Sequence, residues 1–410
     1  MKRRTTLSLL AGLALVATAC GAGDAEADAA GTSTAPAPTT SVAASSTTTE
    51  PAPPEAALPQ GPSALADPEA EEFPDPLVPL EEIISGGPPP DGIPPIDDPV
   101  FFSVAEADAL LDPIEPVVVL EIDGDARAYP IRAMVWHEIV NDTVGGIPVS
   151  ITYCPLCNSA VSYVREIDGV ETTFGTSGRL FASALVMYDR ATESLWTHFD
   201  GRSVVGVLTG TDLESVPSPL LAWQDFAAEY PDGQVLNWNE TGFNRDYGRN
   251  PYFRYDDEDT QPFLFRGSVD DRAKAKQRVV GINVGDESVA YALSALEAAE
   301  ASATAVSVGG EDLVIFWKSG QSSALEGESV ATGRDVGSVG VFLAEADGQP
   351  LRFDVEDGVI TDRETGSTWD IAGAATSGAL EGRRLERIDH LDTFWFAWST
   401  YRPETTLVEG

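Results

Sequence analysis

The chain repeats itself, and that repetition restricts its architecture more than any other feature. Val118-Val119-Leu120 leading into Ala128-Tyr129-Pro130-Ile131 returns as Val279-Val280-Gly281 leading into Ala290-Tyr291-Ala292-Leu293. Val144-Gly145-Gly146 followed by Val149-Ser150-Ile151-Thr152-Tyr153 returns as Val308-Gly309-Gly310 followed by Leu313-Val314-Ile315-Phe316-Trp317. Asp189-Arg190-Ala191-Thr192-Glu193-Ser194-Leu195-Trp196 is echoed by Asp362-Arg363-Glu364-Thr365-Gly366-Ser367-Thr368-Trp369. Gly210, Leu213, Trp223 and Pro231 then recur at a fixed offset as Gly382, Leu385, Trp395 and Pro403. Four matches in one order, over a long period, signal two copies of one structural unit.

Within each copy, short alternations of apolar and polar residues end at glycine. Residues 117–122 run into Asp123-Gly124, and residues 160–167 into Asp168-Gly169. A period of two closed by Asp-Gly predicts antiparallel hairpins. Helical patterning is confined to residues 131–140, 222–230, 293–303 and 394–401. The expected fold is α+β and β-dominated, with two sequence-related tandem halves of antiparallel strands and a few short helices. The first half spans 76–237, its repeated part starting near 115. A polar and aromatic connection follows over 238–277, then a degenerate second half over 278–410. The connection carries Arg245-Asp246-Tyr247-Gly248-Arg249-Asn250-Pro251-Tyr252, expected to brace the halves, with lining of the site as the alternative.

The N-terminus reads as an export signal. Met1-Lys2-Arg3-Arg4 precedes an apolar run over 7–17 and the small residues Ala17-Thr18-Ala19 before Cys20. Basic head, short apolar run and small-residue cleavage site make a secretory signal over 1–20. The run is too short to cross a bilayer of roughly 30 Å as a helix. Cys20 resembles the acceptor cysteine of bacterial lipoproteins, which implies a lipid anchor on the outer face of the cell membrane. Residues 21–75, rich in Ala, Thr, Ser and Pro, read as a disordered tether. With 66 acidic residues against 25 basic, the chain carries a formal charge of -41. That argues against nucleic acid and anionic lipid surfaces, both of which demand basic patches.

Duplication also separates scaffold from chemistry. A feature in both halves is explained by the shared fold; a feature in one half needs another explanation. The Asp-Arg-x-Thr-x-x-x-Trp element falls in the first class, its Asp and Arg expected to pair and cap a turn beneath the Trp. Trp136-His137-Glu138 and Tyr153-Cys154-Pro155-Leu156-Cys157 fall in the second. Opposite the cysteines the second half has Lys318 and Gln321, and opposite His137 it has Ala301. Two of the three histidines, His137 and His198, lie in the first half, as do Met134 and Met187. His390 has no such company and reads as an ordinary surface or core residue.

The Cys-x-x-Cys spacing admits three chemistries. Two thiolates on one turn can converge on a metal ion. They can form a redox dithiol, one thiol attacking and the other resolving. They can also form a structural disulfide, which export favours. Cys154, Cys157 and His137 supply three metal ligands, with His198 a candidate fourth and Met134 and Met187 as candidate thioethers. Soft thiolates with imidazole and thioether suit copper at least as well as zinc. No histidine directly follows Cys157, which leaves covalent haem attachment unsupported. Gly175-Thr176-Ser177-Gly178 lacks the spacing of a hydrolase elbow. A hydrolytic Cys-His pair is less favoured than ligation or redox because a second cysteine stands so close.

Several motifs together resemble one family. They are Trp136-His137-Glu138-Ile139-Val140-Asn141-Asp142, Thr152-Tyr153-Cys154-Pro155-Leu156-Cys157, and Met187-Tyr188-Asp189-Arg190 with Ser194-Leu195-Trp196. Arg245-Asp246-Tyr247-Gly248 with Asn250-Pro251-Tyr252 completes the set. Over about 100–410 the chain resembles the domain of unknown function 3179 family. The resemblance implies an exported bacterial or archaeal protein and brings no settled activity. Where His198 stands, that family ordinarily carries Gln, so the resemblance leaves Cys154, Cys157 and His137 as the core of the site.

The leading expectation is an extracytoplasmic, lipid-anchored protein that binds copper, ahead of zinc, for trafficking or electron transfer. Its partners would be a metal donor or acceptor, or an exported protein. The first alternative is a thiol-disulfide oxidoreductase acting on exported proteins through Cys154 and Cys157. The second is a non-catalytic binding module with a structural disulfide, recognising ligands through aromatics such as Trp136 and Tyr153.

Overall fold

The structure is a computed structural model that describes residues 56–298 and 300–409. The expected signal segment and Cys20 lie outside the described residues. Strand outweighs helix four to one, 40% against 10%, as a β-dominated α+β fold requires. Most pairings are antiparallel, because most connections are tight hairpins and two-residue loops can join only antiparallel strands.

The turns follow from their residues. Asp123 and Gly124 both adopt positive φ, 51° and 85°, and close the hairpin of Pro116–Ile122 with Asp125–Pro130. Left-handed conformation at both loop positions matches the twist of the flanking strands, which is why Asp-Gly selects this hairpin. Gly145-Gly146 does the same between Ile139–Val144 and Ile147–Cys154, and Gly309-Gly310 between Ala301–Val308 and Glu311–Lys318. A Cβ on Gly145 would stand 2.5 Å from the Ile122 carbonyl oxygen, and one on Gly309 would stand 2.5 Å from that of Val284. Only glycine lets these hairpins approach the strands beneath them.

Both halves share one connectivity. In the first, Pro116–Ile122 pairs antiparallel with Asp125–Pro130 on one side and Leu220–Ala222 on the other. Helix Trp223–Glu229 then leads to Gln234–Leu236, which lies parallel to Asp125–Pro130. In the second, Arg278–Val284 pairs with Glu287–Ala292 and His390–Phe394. Helix Trp395–Tyr401 leads to Thr406–Val408, parallel to Glu287–Ala292. Beside each of these sheets stands an antiparallel three-strand unit. One is Ile139–Val144, Ile147–Cys154 and Ser159–Val164; the other is Ala301–Val308, Glu311–Lys318 and Ser338–Leu343. One buried cluster runs through both halves and includes Trp196, Trp223, Trp395 and Trp398.

The Asp-x-x-Thr-x-x-x-Trp element builds the same network twice. Asp189 accepts from Thr192 N (2.6 Å), Thr192 Oγ1 (2.8 Å), Ser194 N (3.2 Å) and Trp196 Nε1 (3.0 Å). Asp362 accepts from Thr365 N (2.5 Å), Thr365 Oγ1 (2.8 Å), Ser367 N (3.2 Å) and Trp369 Nε1 (3.0 Å). The expected Asp-Arg pairing does not form. Arg190 reaches Asp97 at 2.8 Å and Asp91 at 3.3 Å, and Arg363 pairs with Asp354. Each aspartate is already saturated by turn donors, so its arginine turns to another carboxylate.

Four further expectations need correction. The tether does not extend to residue 75, since Leu58 and Ala64 are buried and Ala64 packs in a cluster with Val186 and Leu195. The helix over 293–303 is a single turn, Leu293–Leu296, and Ala301 already begins a strand whose eight residues all pair with Glu311–Lys318. The helix over 131–140 stops at His137, because Glu138 takes a left-handed φ of 59° and Ile139 starts the next strand. Nor do residues 117–120 alternate; all four are buried, as in a strand covered on both faces. Among the described residues no helix is long and apolar enough to cross a membrane.

Candidate functional site

The Cys-x-x-Cys segment is a hairpin turn. Cys154 ends the strand Ile147–Cys154 and pairs with Ser159, which opens the returning strand. Pro155 to Asn158 make the turn, closed by Asn158 N donating to Pro155 O at 3.3 Å. Proline presets the entry angle and Asn158 supplies the left-handed exit, φ 51°. The turn is held from outside as well. Cys157 O accepts from Phe394 N (3.1 Å) and Thr393 Oγ1 (2.7 Å), both from the second half. Tyr153, expected as a recognition aromatic, is wholly buried and donates its hydroxyl to Asn158 Oδ1 at 3.1 Å. It braces the turn and offers nothing to a ligand.

Cys154 and Cys157 are free thiols. His198 joins them. One ligand atom from each of Cys154, Cys157 and His198 lies within 4.8 Å of the others, and all three residues are buried. Leu185 connects the parts: its carbonyl accepts from His198 N at 3.1 Å, and its own N–H faces the Cys154 sulfur. Met187 pairs with Trp196, so the two-residue period puts it on the sheet face of Leu185 and His198.

The electrostatics divide the two thiols. Burial pushes Cys154 up, but hydrogen bonds from the Cys157 thiol and from the N–H groups of Cys157, Leu185 and Leu156 outweigh it and leave Cys154 below its ordinary value. Burial pushes Cys157 well up, and its bond to Cys154 adds to that, with Ser159 Oγ at 3.0 Å opposing. Burial alone pulls the His198 imidazole down to about 3. The ring is therefore neutral near pH 7, and neither of its nitrogens has a hydrogen-bond partner. A buried imidazole with both nitrogens unpaired is costly unless something else takes a lone pair.

His137, placed by the sequence in the core of the site, does not join the cluster. Its Nδ1 lies 2.6 Å from Pro94 O and its Nε2 lies 2.7 Å from Tyr247 Oη. A carbonyl can only accept, so Nδ1 carries the proton and Nε2 accepts from Tyr247, whose oxygen is free to take the Thr241 hydroxyl at 2.7 Å. Both nitrogens are used and no lone pair remains for a metal. Met134 is buried on the helix Ile131–His137, in the same core cluster as Cys154 and Cys157.

Glu138 is the residue that sequence reasoning passed over. Burial pushes its carboxyl well above the ordinary value, the neighbouring Cys154 adds to this, and Tyr252 opposes it. Its left-handed backbone is a sparsely populated state for a non-glycine residue, of the kind that collects at functional sites. The signal was available, since Trp136-His137-Glu138 occurs in one half alone and the neighbouring histidine drew the attention. Glu138 also lines a cavity of about 580 Å3 together with Leu156, Leu185, Tyr252 and Tyr255. The connection therefore does both things expected of it. Tyr255 Oη donates to Leu156 O at 3.0 Å beside the thiols, while Asn250 N and Tyr255 N bond to Glu328 O and Leu325 O of the second half.

What the cluster can do follows from its chemistry. Metal–sulfur and metal–nitrogen bonds of about 2.3 and 2.0 Å imply ligand separations of roughly 3.5–4 Å, a small rotamer adjustment from the spacing present. The backbone N–H groups at Cys154 offset thiolate charge, as outer-shell donors do around metal-bound sulfur. No curated protein and no solved structure matches the chain. A family model does match residues 90–405, and on that evidence the chain belongs to the family described as protein of unknown function (DUF3179).

Proposed function

We propose that Cys154, Cys157 and His198 hold one soft metal ion, copper(I) ahead of zinc, in an exported protein anchored by a lipid on Cys20. The reading rests on His198, a wholly buried imidazole with two unpaired nitrogens beside two free thiols. Three ligands of this softness suit trigonal copper(I), whereas structural zinc asks for four. Met187, on the same sheet face, would supply a thioether before a harder ligand. Such a dry, three-ligand site fits metal transfer or electron transfer outside the cytoplasm, with an exported metal donor or acceptor as partner. The two-half architecture is best read as a duplication in which only the first copy kept the ligands.

One observation favours a second reading, a thiol-disulfide oxidoreductase. Cys154 is stabilised as thiolate by three N–H groups while Cys157 keeps its proton. Cys154 would attack a substrate disulfide, Cys157 would resolve the mixed disulfide, and the pair would be oxidised as two substrate thiols are released.

Metal analysis of protein produced in the exported compartment tests the first reading. Near one equivalent of copper or zinc is expected in the wild type, none in Cys154→Ser/Cys157→Ser, a large loss in His198→Ala and no change in His137→Ala. A wild-type protein that stays metal-free after reduction and reconstitution would sink it. Titration of the Cys154 thiol would then decide on the redox reading.

A further inference from the structure

The cavity against the Cys-x-x-Cys turn carries a chemistry that the thiols do not require. At about 580 Å3 it is the size of a small-molecule site, and its wall is chiefly apolar. Leu156 and Leu185 form the side nearest Cys154, and Phe253 and Phe263, both more than half exposed at 53% and 51%, belong to the same wall. Exposed phenyl rings beside an apolar cavity mark a surface made for a partner.

Three cations line this cavity: Arg179, Arg254 and Lys276. Arg254 has a carboxylate, Asp257 at 3.7 Å. The other two form no ion pair with any carboxylate among the described residues. Arg179 donates to the Leu65 carbonyl at 3.1 Å. Lys276 is 1% exposed, and its ammonium donates to Tyr255 O and Thr260 Oγ1 and lies 4.5 Å from the Tyr255 ring centroid. An ammonium has three donors, and two are used. In a chain with 66 acidic and 25 basic residues a carboxylate is the commonest partner a cation could find. Asp256 and Asp257 act on the Lys276 ammonium only from beyond contact distance. A buried ammonium without a carboxylate in contact is expensive, and an anion entering from the cavity would relieve it.

We infer that this cavity binds an amphiphilic carboxylate, its apolar body against Leu156, Leu185, Phe253 and Phe263 and its anionic head drawn to Lys276 and Arg179. The shared chemistry is one negative group on an apolar body, met by an acyl chain or by an aromatic acid. This goes beyond the metal reading and does not depend on it. Bound there, the ligand would cover the side of the thiol site formed by Leu156 and Leu185.

Calorimetric titration of the full chain with decanoate, 3-phenylpropionate and uncharged decan-1-ol tests the proposal. The expected result is that one of the two acids binds in the micromolar range and decan-1-ol at least about tenfold more weakly. The acid that binds more tightly identifies the source, acyl chain or aromatic acid. Lys276→Met should weaken acid binding about tenfold or more and leave decan-1-ol unchanged. Arg179→Gln, partly exposed and safer for folding, should weaken it several-fold in the same selective way. Phe253→Ala should weaken acid and alcohol alike. Absence of acid binding by a folded wild-type chain, equal binding of decanoate and decan-1-ol, or indifference of acid binding to both charge variants would overturn the proposal. Metal content of the same samples is a separate readout, so either idea can fail alone.

Discussion

The thiol corner of the first half and its counterpart in the second start from one scaffold and end differently. The strands Ile147–Cys154 and Glu311–Lys318 occupy the same place in the same three-strand unit, and they finish on Cys154 and Lys318. Gln321 stands where Cys157 does, and Ile371 follows Trp369 as His198 follows Trp196. In the second half the side chains at this corner bond to protein partners or pack as apolar filling. Lys318 pairs with Asp225, Gln321 Oε1 accepts from Ser338 Oγ at 3.1 Å, and Ile371 is simply packed, 3% exposed. The first half instead closes a short turn with two free thiols and presents an imidazole with nothing bonded to it. Similar backbones thus carry either paired and packed side chains or two free thiols beside an unbonded imidazole, and the side chains at three positions make the difference.

The strongest way to sharpen this comparison is to attack what the halves share. Asp189→Ala and Asp362→Ala each strand the donors of a Thr, a Ser and a Trp in a buried turn. Each should cost about 3–5 kcal/mol of unfolding free energy in urea titrations, since every orphaned buried donor costs about 1–3 kcal/mol. Near-equal losses are expected; a loss confined to Asp189→Ala would mean that the two networks are not the same device.

The next test uses positions where the halves differ. Ile371→Ala should destabilise by about 2–4 kcal/mol through the cavity it leaves. His198→Leu should do the reverse in metal-free protein, stabilising by about 1 kcal/mol because two unpaired nitrogens disappear. If His198→Leu destabilised the metal-free chain as Ile371→Ala does, the imidazole would be structural and the metal reading would lose its main support.

A further effect concerns acid. His198 is held near 3 in the folded chain against an ordinary 6.5, so between those values the unfolded chain binds a proton that the folded chain refuses. Its contribution to stability is whole above pH 6.5 and is lost as the pH falls toward 3. Metal-free His198→Leu should therefore show a flatter fall in stability over that interval. An acid limb that superimposes on the wild type would show that the ring is solvated or hydrogen-bonded in solution.

Much of this was legible from the residues. Asp123-Gly124 and Asp168-Gly169 announced their hairpins, because a loop of two left-handed residues needs little beyond its own sequence. The Cys-x-x-Cys pair stood out because its counterparts in the second half were Lys318 and Gln321. The helix over 293–303 failed for the opposite reason. Its alanine-rich run suits a helix, but pairing along Glu311–Lys318 claimed Ala301 onward for a strand, and tertiary context overrides local preference.

Composition and local pattern thus determined the β-dominated fold and singled out the two cysteines of the candidate site. Which histidine meets them was decided by tertiary structure alone. His137 lies on the first-half motif, yet Pro94 and Tyr247, the latter 110 residues away, consume both its nitrogens. His198 reaches the thiols because Leu185 bonds its backbone on one side and the Cys154 sulfur on the other. Spacing along a chain tells which residues can share a turn or a strand face. Whether a lone pair remains unspent depends on partners that only the folded chain brings within hydrogen-bonding distance.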